Sequence, residues 1–152
     1  MINRRYLFTI FLAAIPLASR AGAWGEGSFD NDDALDWVND CVRSKSANFV
    51  LTTLKEATAG RYLEAPTASA AIAAAEVVAA SKGRPTVKLP PELQAWIKTQ
   101  RKDSIAAFSP VAVQALERIL STKGSELRDL WRASNGFSTW ESLVKGLLER
   151  VR

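Results

Sequence analysis

The sequence predicts an all-α fold, a compact single-domain bundle of about six or seven short helices around an alanine-rich central helix. Apolar residues recur at helical spacing in several segments, and no run alternates apolar with polar residues as a half-buried strand does. Residues 68–80 are mostly alanine and valine, so a helix there has almost no polar face and is expected at the centre. A hydrophobic content of 47% in 152 residues is enough for one packed core.

The two helices before this segment are marked by a polar start and a glycine stop. Positions 30–33 carry acidic and amide side chains, which supply an N-cap and a negatively charged first turn to a helix that ends near Ser44. Leu35, Val38 and Val42 share one face of this helix, which we expect to be buried. A second helix is predicted between Ser46 and Gly60.

The central helix is predicted over about residues 67–81, and the helices after it begin at proline or serine. A proline pair at Pro90 opens the fourth helix, a Ser-Pro step at Ser109 opens the fifth, and Ser125 opens a short sixth. The last helix has the clearest apolar pattern, which includes Leu143 and Val144 and predicts a buried face. The spacing of Ser138 and Glu141 predicts a capping box at its start.

The N-terminus has the order of a secretory signal: a basic start with Arg4 and Arg5, an apolar run to Leu17, and a small-residue site that ends at Ala23. We therefore predict a signal peptide over residues 1–23 and a helical domain over residues 24–152. The apolar run is short for a membrane span, so no stable membrane insertion is expected after cleavage. The predicted location is periplasmic or secreted in a bacterium, by the Sec or the twin-arginine route.

Composition narrows the classes of function. Three N-terminal arginines account for most of the formal net charge of +4, which leaves +1 for the remainder, too little for the basic face of a nucleic-acid-binding protein. The chain has no histidine and one cysteine, Cys41. Without a histidine partner, Cys41 is expected to be a small core residue, and four tryptophans on helical stripes are expected to pack in the core. These are Trp37, Trp96, Trp131 and Trp140.

An acidic cluster at the start of the first helix allows two interpretations. Asp30 and Asp32 resemble the first ligands of a calcium loop, but the twelve-residue loop with its central glycine and terminal glutamate is absent. The structural alternative is that these carboxylates cap and solvate a helix start, where the dipole favours negative charge. No metal site and no cofactor are predicted, although a calcium-stabilised module remains an alternative.

Glu76 is the one charged residue inside the central helix, and a buried carboxylate without partners is costly. The functional interpretation makes it an acid or base that works with Asp30 or Asp32 in glycoside hydrolysis. The structural interpretation makes it an acceptor for backbone N–H groups of the glycine-bearing segment, for an indole N–H, or for an arginine.

Several segments together resemble the bacterial domain of unknown function family 4259. The resemblance covers nearly all of residues 24–149, and its motifs lie at 24–37, 62–65, 73–80, 89–90 and 125–131. It implies a compact helical domain without an assigned activity. Members of that family usually begin almost directly at the Trp-Gly segment, whereas here a predicted signal peptide precedes it.

The resemblance also implies one shared constellation of residues, in which the segment before the first helix folds over the central helix and Glu76 holds it by hydrogen bonds. The members are Trp24, Gly25, Gly27, Phe29, Asp30, Asn31, Asp32 and Glu76. Because no catalytic set is evident, we expect a non-enzymatic binding or protein-interaction module whose partner, if it has one, is another protein. The alternative is a carboxylate-dependent hydrolase acting on cell-wall glycan.

Overall fold

The computed structural model describes residues 25–152, so Trp24 and the predicted signal peptide lie outside the described residues. Within that range the chain forms eight helices and no strand. They are α1 (Asp32–Ser44), α2 (Asn48–Thr58), α3 (Ala65–Ser81), α4 (Pro91–Thr99), α5 (Lys102–Ala106), α6 (Ser109–Ile119), α7 (Glu126–Arg132) and α8 (Phe137–Val151). The all-α prediction is therefore confirmed. None of these helices has the length and apolar character needed to cross a membrane.

Helix α3 lies at the centre and contacts each of the other seven described helices. Thirteen of its residues are buried, mostly alanines, whose small side chains let neighbouring backbones approach from every side. The N-terminal end of α3 is fastened to α7: the backbone N–H of Leu63 donates to the Gly124 carbonyl at 2.8 Å, and the Glu126 carboxylate accepts from the Ala65 N–H at 2.7 Å. The prediction of an alanine-rich central helix is confirmed.

Two local predictions differ from the structure. The short helix α5 was not predicted, because five residues are too few to show a periodic pattern; its one buried residue is Ile105. The capping box at Ser138 and Glu141 is wrong: Gly136, two residues before Ser138, occupies the cap position of α8, and no side chain caps the helix. Glu141 instead forms an ion pair with Lys145 at 3.0 Å.

The buried face of α1 is also rotated from the predicted one. It contains Ala34, Trp37, Val38 and Cys41, whereas Leu35 is 43% exposed. The stripe through Leu35 and the stripe through Ala34 both fit helical spacing, and the larger side chain favoured the wrong one. The four core tryptophans are buried as predicted.

Candidate functional site

The chain enters the domain through residues 25–31, which we call the entry segment. Asn31 ends it as the N-cap of α1, and its side chain accepts from the Ala34 N–H at 2.9 Å. Two backbone bonds fold the segment into a turn: Gly25 N–H donates to the Asp30 carbonyl at 3.1 Å, and Asp30 N–H donates to the Gly27 carbonyl at 3.2 Å. Asp30 also accepts from the Gly27 N–H through Oδ2 at 3.1 Å.

Both glycines of this turn lie close to the Asp30 side chain. A Cβ atom on Gly25 would lie 2.7 Å from Asp30 Oδ2, and one on Gly27 would lie 2.5 Å from the same oxygen. Any larger residue would push the carboxylate away from the Gly27 N–H. The Gly-x-Gly pattern of the sequence is therefore explained by packing against Asp30, without any phosphate-binding role.

Glu76 links the entry segment to the central helix. It is 2% exposed, and its Oε1 accepts from the Ser28 hydroxyl at 2.7 Å. The Arg150 guanidinium binds the same carboxylate through two nitrogens, Nη1 to Oε2 at 2.7 Å and Nη2 to Oε1 at 2.8 Å. A paired and hydrogen-bonded carboxylate of this kind is compatible with burial. An arginine was one of the three kinds of partner expected for Glu76.

Arg150 extends this network to the loop between α3 and α4. Its Nη1 also donates to the Arg84 carbonyl at 3.1 Å. From the same region, Lys82 Nζ donates to the Val151 carbonyl at 2.7 Å, at the C-terminal end of α8 where the helix dipole favours a cation. The entry segment, α3, the α3–α4 loop and the end of α8 are thus tied together around one carboxylate.

A cleft of about 310 Å³ opens beside this network, and we call it the Glu26–Arg150 cleft. The entry segment, the α3–α4 loop and α8 form its walls. Its lining residues are Glu26, Gly27, Ser28, Phe29, Asp30, Glu76, Thr86, Val87, Lys88, Thr139, Leu143 and Arg150. Two of its apolar residues face solvent: Val87 is fully exposed and Leu143 is 47% exposed.

Three carboxylates and two cations line the cleft, and four of these five groups form ion pairs with one another. Glu76 pairs with Arg150, and Lys88 Nζ lies 3.6 Å from Asp30 Oδ2. Glu26 makes no ion pair with a described residue. Its Oε1 lies 2.7 Å from the position of a Cβ on Gly136, so the carboxylate rests at the N-terminal end of α8, where the dipole favours negative charge.

On the inner side of the entry segment lies a much smaller cavity of about 20 Å³. Its floor is apolar and includes Ile72, Trp131 and Trp140, and the two indole rings stack at 6.0 Å. The entry segment therefore separates a nearly filled aromatic cavity from the open Glu26–Arg150 cleft.

A second groove, of about 590 Å³, runs between α1 and α4 and is the more open of the two. We call it the α1–α4 groove; its lining residues are Val42, Lys45, Glu92, Ala95, Trp96, Thr99 and Gln100. Trp96 is buried, and within residues 25–152 its indole N–H has no hydrogen-bond partner. No ion pair joins residues of this groove to one another among the described residues.

The structure brings together most of the sequence-predicted constellation. Five predicted residues lie in the entry segment: Gly25, Gly27, Phe29, Asp30 and Asn31. Ser28 joins that segment to Glu76, the sixth described member.

Asp32 does not belong to the same cluster: it is exposed on the first turn of α1 and does not line the cleft. Its carboxylate, together with burial and Asp36, raises the pKa of Asp33, burial being the largest cause. Across residues 25–152 no three acidic, cysteine or histidine side chains are placed to hold a metal ion.

The residues that complete the site were not predicted from the sequence. Arg150 is 74 positions from Glu76, and nothing local distinguishes it from the other basic residues of the chain. Ser28 and Lys88 likewise act through contacts distant in sequence. Leu143 was expected in the core because it fits the apolar stripe of the last helix. Leu143 lies at the edge of that stripe, next to the buried Val144, and this position is the one sequence feature that indicates exposure.

Cys41 is fully buried on α1, and burial raises the pKa of its thiol to about 12. A protonated, buried thiol is a poor nucleophile, as expected for a small core residue. Cys41 does not line the Glu26–Arg150 cleft.

Comparison with known proteins identifies the family of the chain. Neither the search of curated proteins nor the search of solved structures found a match. One family model matches residues 22–142, which is most of the chain, and its description is "Domain of unknown function (DUF4259)". The match includes the entry segment, Glu76 and the whole bundle up to the first turns of α8. The chain therefore belongs to the DUF4259 family.

Proposed function

We propose that this chain is an exported, non-enzymatic protein-interaction module and that the Glu26–Arg150 cleft is its binding site. The observation that carries the proposal is the state of the cleft: its buried carboxylate is held in an internal ion pair, while two apolar side chains stand exposed beside it.

The arrangement of Glu76 supports binding rather than catalysis. Both of its oxygens accept from Arg150, and one also accepts from Ser28. A catalytic carboxylate must be free to contact the substrate, whereas these oxygens are occupied by internal donors and the residue is 2% exposed. The glycan-hydrolase alternative therefore gains no support from this geometry.

The exposed apolar residues support a protein partner. Val87 is fully exposed between two polar neighbours, and Leu143 is half-exposed on the opposite wall of the cleft. Exposed apolar groups rimmed by polar residues are typical of protein-binding surfaces, where they become buried on association.

Export is supported by the N-terminal sequence and by the extent of the family match. The match begins at residue 22, next to the proposed cleavage after Ala23, so the proposed signal lies almost wholly outside it. Mass spectrometry of the chain recovered from a bacterial periplasm is expected to find Trp24 as the first residue. Recovery of the intact chain from the cytoplasm would contradict the export proposal.

The binding proposal is tested by affinity capture from a native periplasmic extract, with wild-type chain and two variants as bait. Leu143→Glu places a charge in the cleft, and Leu35→Glu places one at a similarly exposed site on α1. We expect a stoichiometric protein with the wild type and Leu35→Glu but not with Leu143→Glu. A partner that binds all three equally would refute the cleft as the site.

A further inference from the structure

We propose that the Glu26–Arg150 cleft recognises a protein segment in which a lysine or arginine lies next to a large apolar side chain. This inference rests on the proposed function and adds the chemistry of the partner. The cation would pair with Glu26, and the apolar side chain would pack between Val87 and Leu143. Both halves of the ligand are argued from the groups that line the cleft.

The charge preference follows from which groups are already matched. Arg150 already donates hydrogen bonds to Glu76 and to the Arg84 carbonyl, so it is a poor site for an incoming anion. Lys88 lies beside Asp30. Glu26 is the one lining charge without a described counter-ion, which leaves the cleft with an excess of one negative charge. Opposite charge on the partner complements this excess, whereas like charge would be repelled.

Glu26 is also half-buried beside the start of α8. Its Oε1 lies 2.7 Å from the position that a Cβ on Gly136 would take. A half-buried carboxylate is screened less by solvent than a fully exposed one, which strengthens its attraction to a cation.

The apolar half of the ligand follows from the opposite walls of the cleft. Val87 on the α3–α4 loop and Leu143 on α8 are the exposed apolar side chains of the lining. Thr86 and Thr139 stand beside them and offer hydroxyls to a peptide backbone. A single aliphatic or aromatic side chain fits a cleft of about 310 Å³ better than a whole helix face.

The test is selection from a random peptide library on the purified chain, followed by titration of enriched peptides by isothermal calorimetry. We expect enrichment of peptides with Lys or Arg adjacent to Leu, Ile or Phe. Glu26→Gln is expected to weaken their binding about threefold, with the difference lost at high salt, and Leu143→Glu to abolish it. Glu92→Gln and Leu35→Glu are the matched controls outside the cleft and should bind as the wild type does.

The outcomes separate this inference from the proposed function. Enrichment of acidic peptides, or binding that is indifferent to Glu26, would overturn the charge assignment even if Leu143→Glu still blocks capture of the native partner. Failure to enrich any peptide, together with capture that ignores Leu143, would overturn both. Circular dichroism of every variant establishes that a loss of binding is not a loss of fold.

Discussion

The Glu26–Arg150 cleft and the α1–α4 groove differ in how their walls are held. The groove is larger, about 590 Å³ against 310 Å³, but its charged residues are not paired with one another. The walls of the cleft come from three separate segments, joined through the buried Glu76 carboxylate. Volume alone would favour the groove, whereas the preorganised charges that recognition needs are found in the cleft.

The largest effect should come from removing the counter-ion of Glu76. Arg150→Ala leaves a buried carboxylate without its cation, so we expect the free energy of unfolding to fall by about 3 kcal/mol. Arg152→Ala, two residues away, removes only exposed pairs with Glu149 and Glu117 and should cost less than about 1 kcal/mol. Urea unfolding followed by circular dichroism measures both. Equal losses for the two variants would mean that the cleft is no better organised than the open surface.

The next effect concerns the turn of the entry segment. Gly27→Ala would drive its Cβ into Asp30 Oδ2 and break the bond from the Gly27 N–H, at a cost of about 2 kcal/mol. Gly146→Ala, in the exposed middle of α8 with open space around it, should instead stabilise the chain by about 0.5 kcal/mol. Thermal denaturation checks the pair. A stable Gly27→Ala variant would show that the turn adapts and that the cleft wall is soft.

A pH-dependent effect, absent at neutral pH, is expected on the α1 side of the groove, where burial rather than pairing sets the energetics. The folded-state pKa of Cys41 is raised to about 12 from an ordinary 9.0. Stability is therefore unaffected by this thiol below pH 9 and falls as pH rises from 9 toward 12, because the unfolded thiol ionises first, at about 1.4 kcal/mol per pH unit. Urea midpoints against pH should show a shallower alkaline decline for Cys41→Ala, and identical slopes would contradict a buried thiol.

The smallest effect compares two buried indoles. Trp37 donates to Thr53 Oγ1 at 2.8 Å, whereas no described group accepts from Trp96 in the groove wall. Trp37→Phe should therefore cost about 1 kcal/mol more than Trp96→Phe, because only the former breaks a hydrogen bond. If Trp96→Phe proves the costlier change, an acceptor for its N–H exists in solution, and the groove is better organised than the comparison implies.

The fold was largely predictable because its signals are local. Asn31 caps α1, prolines open α4 and α6, and the alanine-rich sequence of α3 indicates its central place. The predictions that failed concern single residues and one short helix. Leu35 and Leu143 fit apolar stripes yet are exposed, and α5 is too short to show a periodic pattern. Which of two overlapping stripes is buried depends on tertiary packing, which a single helix does not encode.

Only part of the site could be predicted from the sequence. Glu76 and the entry segment could be singled out, one because a charge in an apolar helix needs a partner and the other through the resemblance to a family. Arg150 could not be chosen, since its role depends on α8 lying against α3. The binding role itself stays a prediction.

The pairing of Glu76 with Arg150 also joins residues that are made far apart in time during synthesis. The two residues are 74 positions apart, so any fragment that ends before residue 150 contains the carboxylate without its cation. Such a fragment can form the helices but pays the full desolvation cost if it buries Glu76. We therefore expect the entry segment to dock stably only once the C-terminal turn of α8 is present.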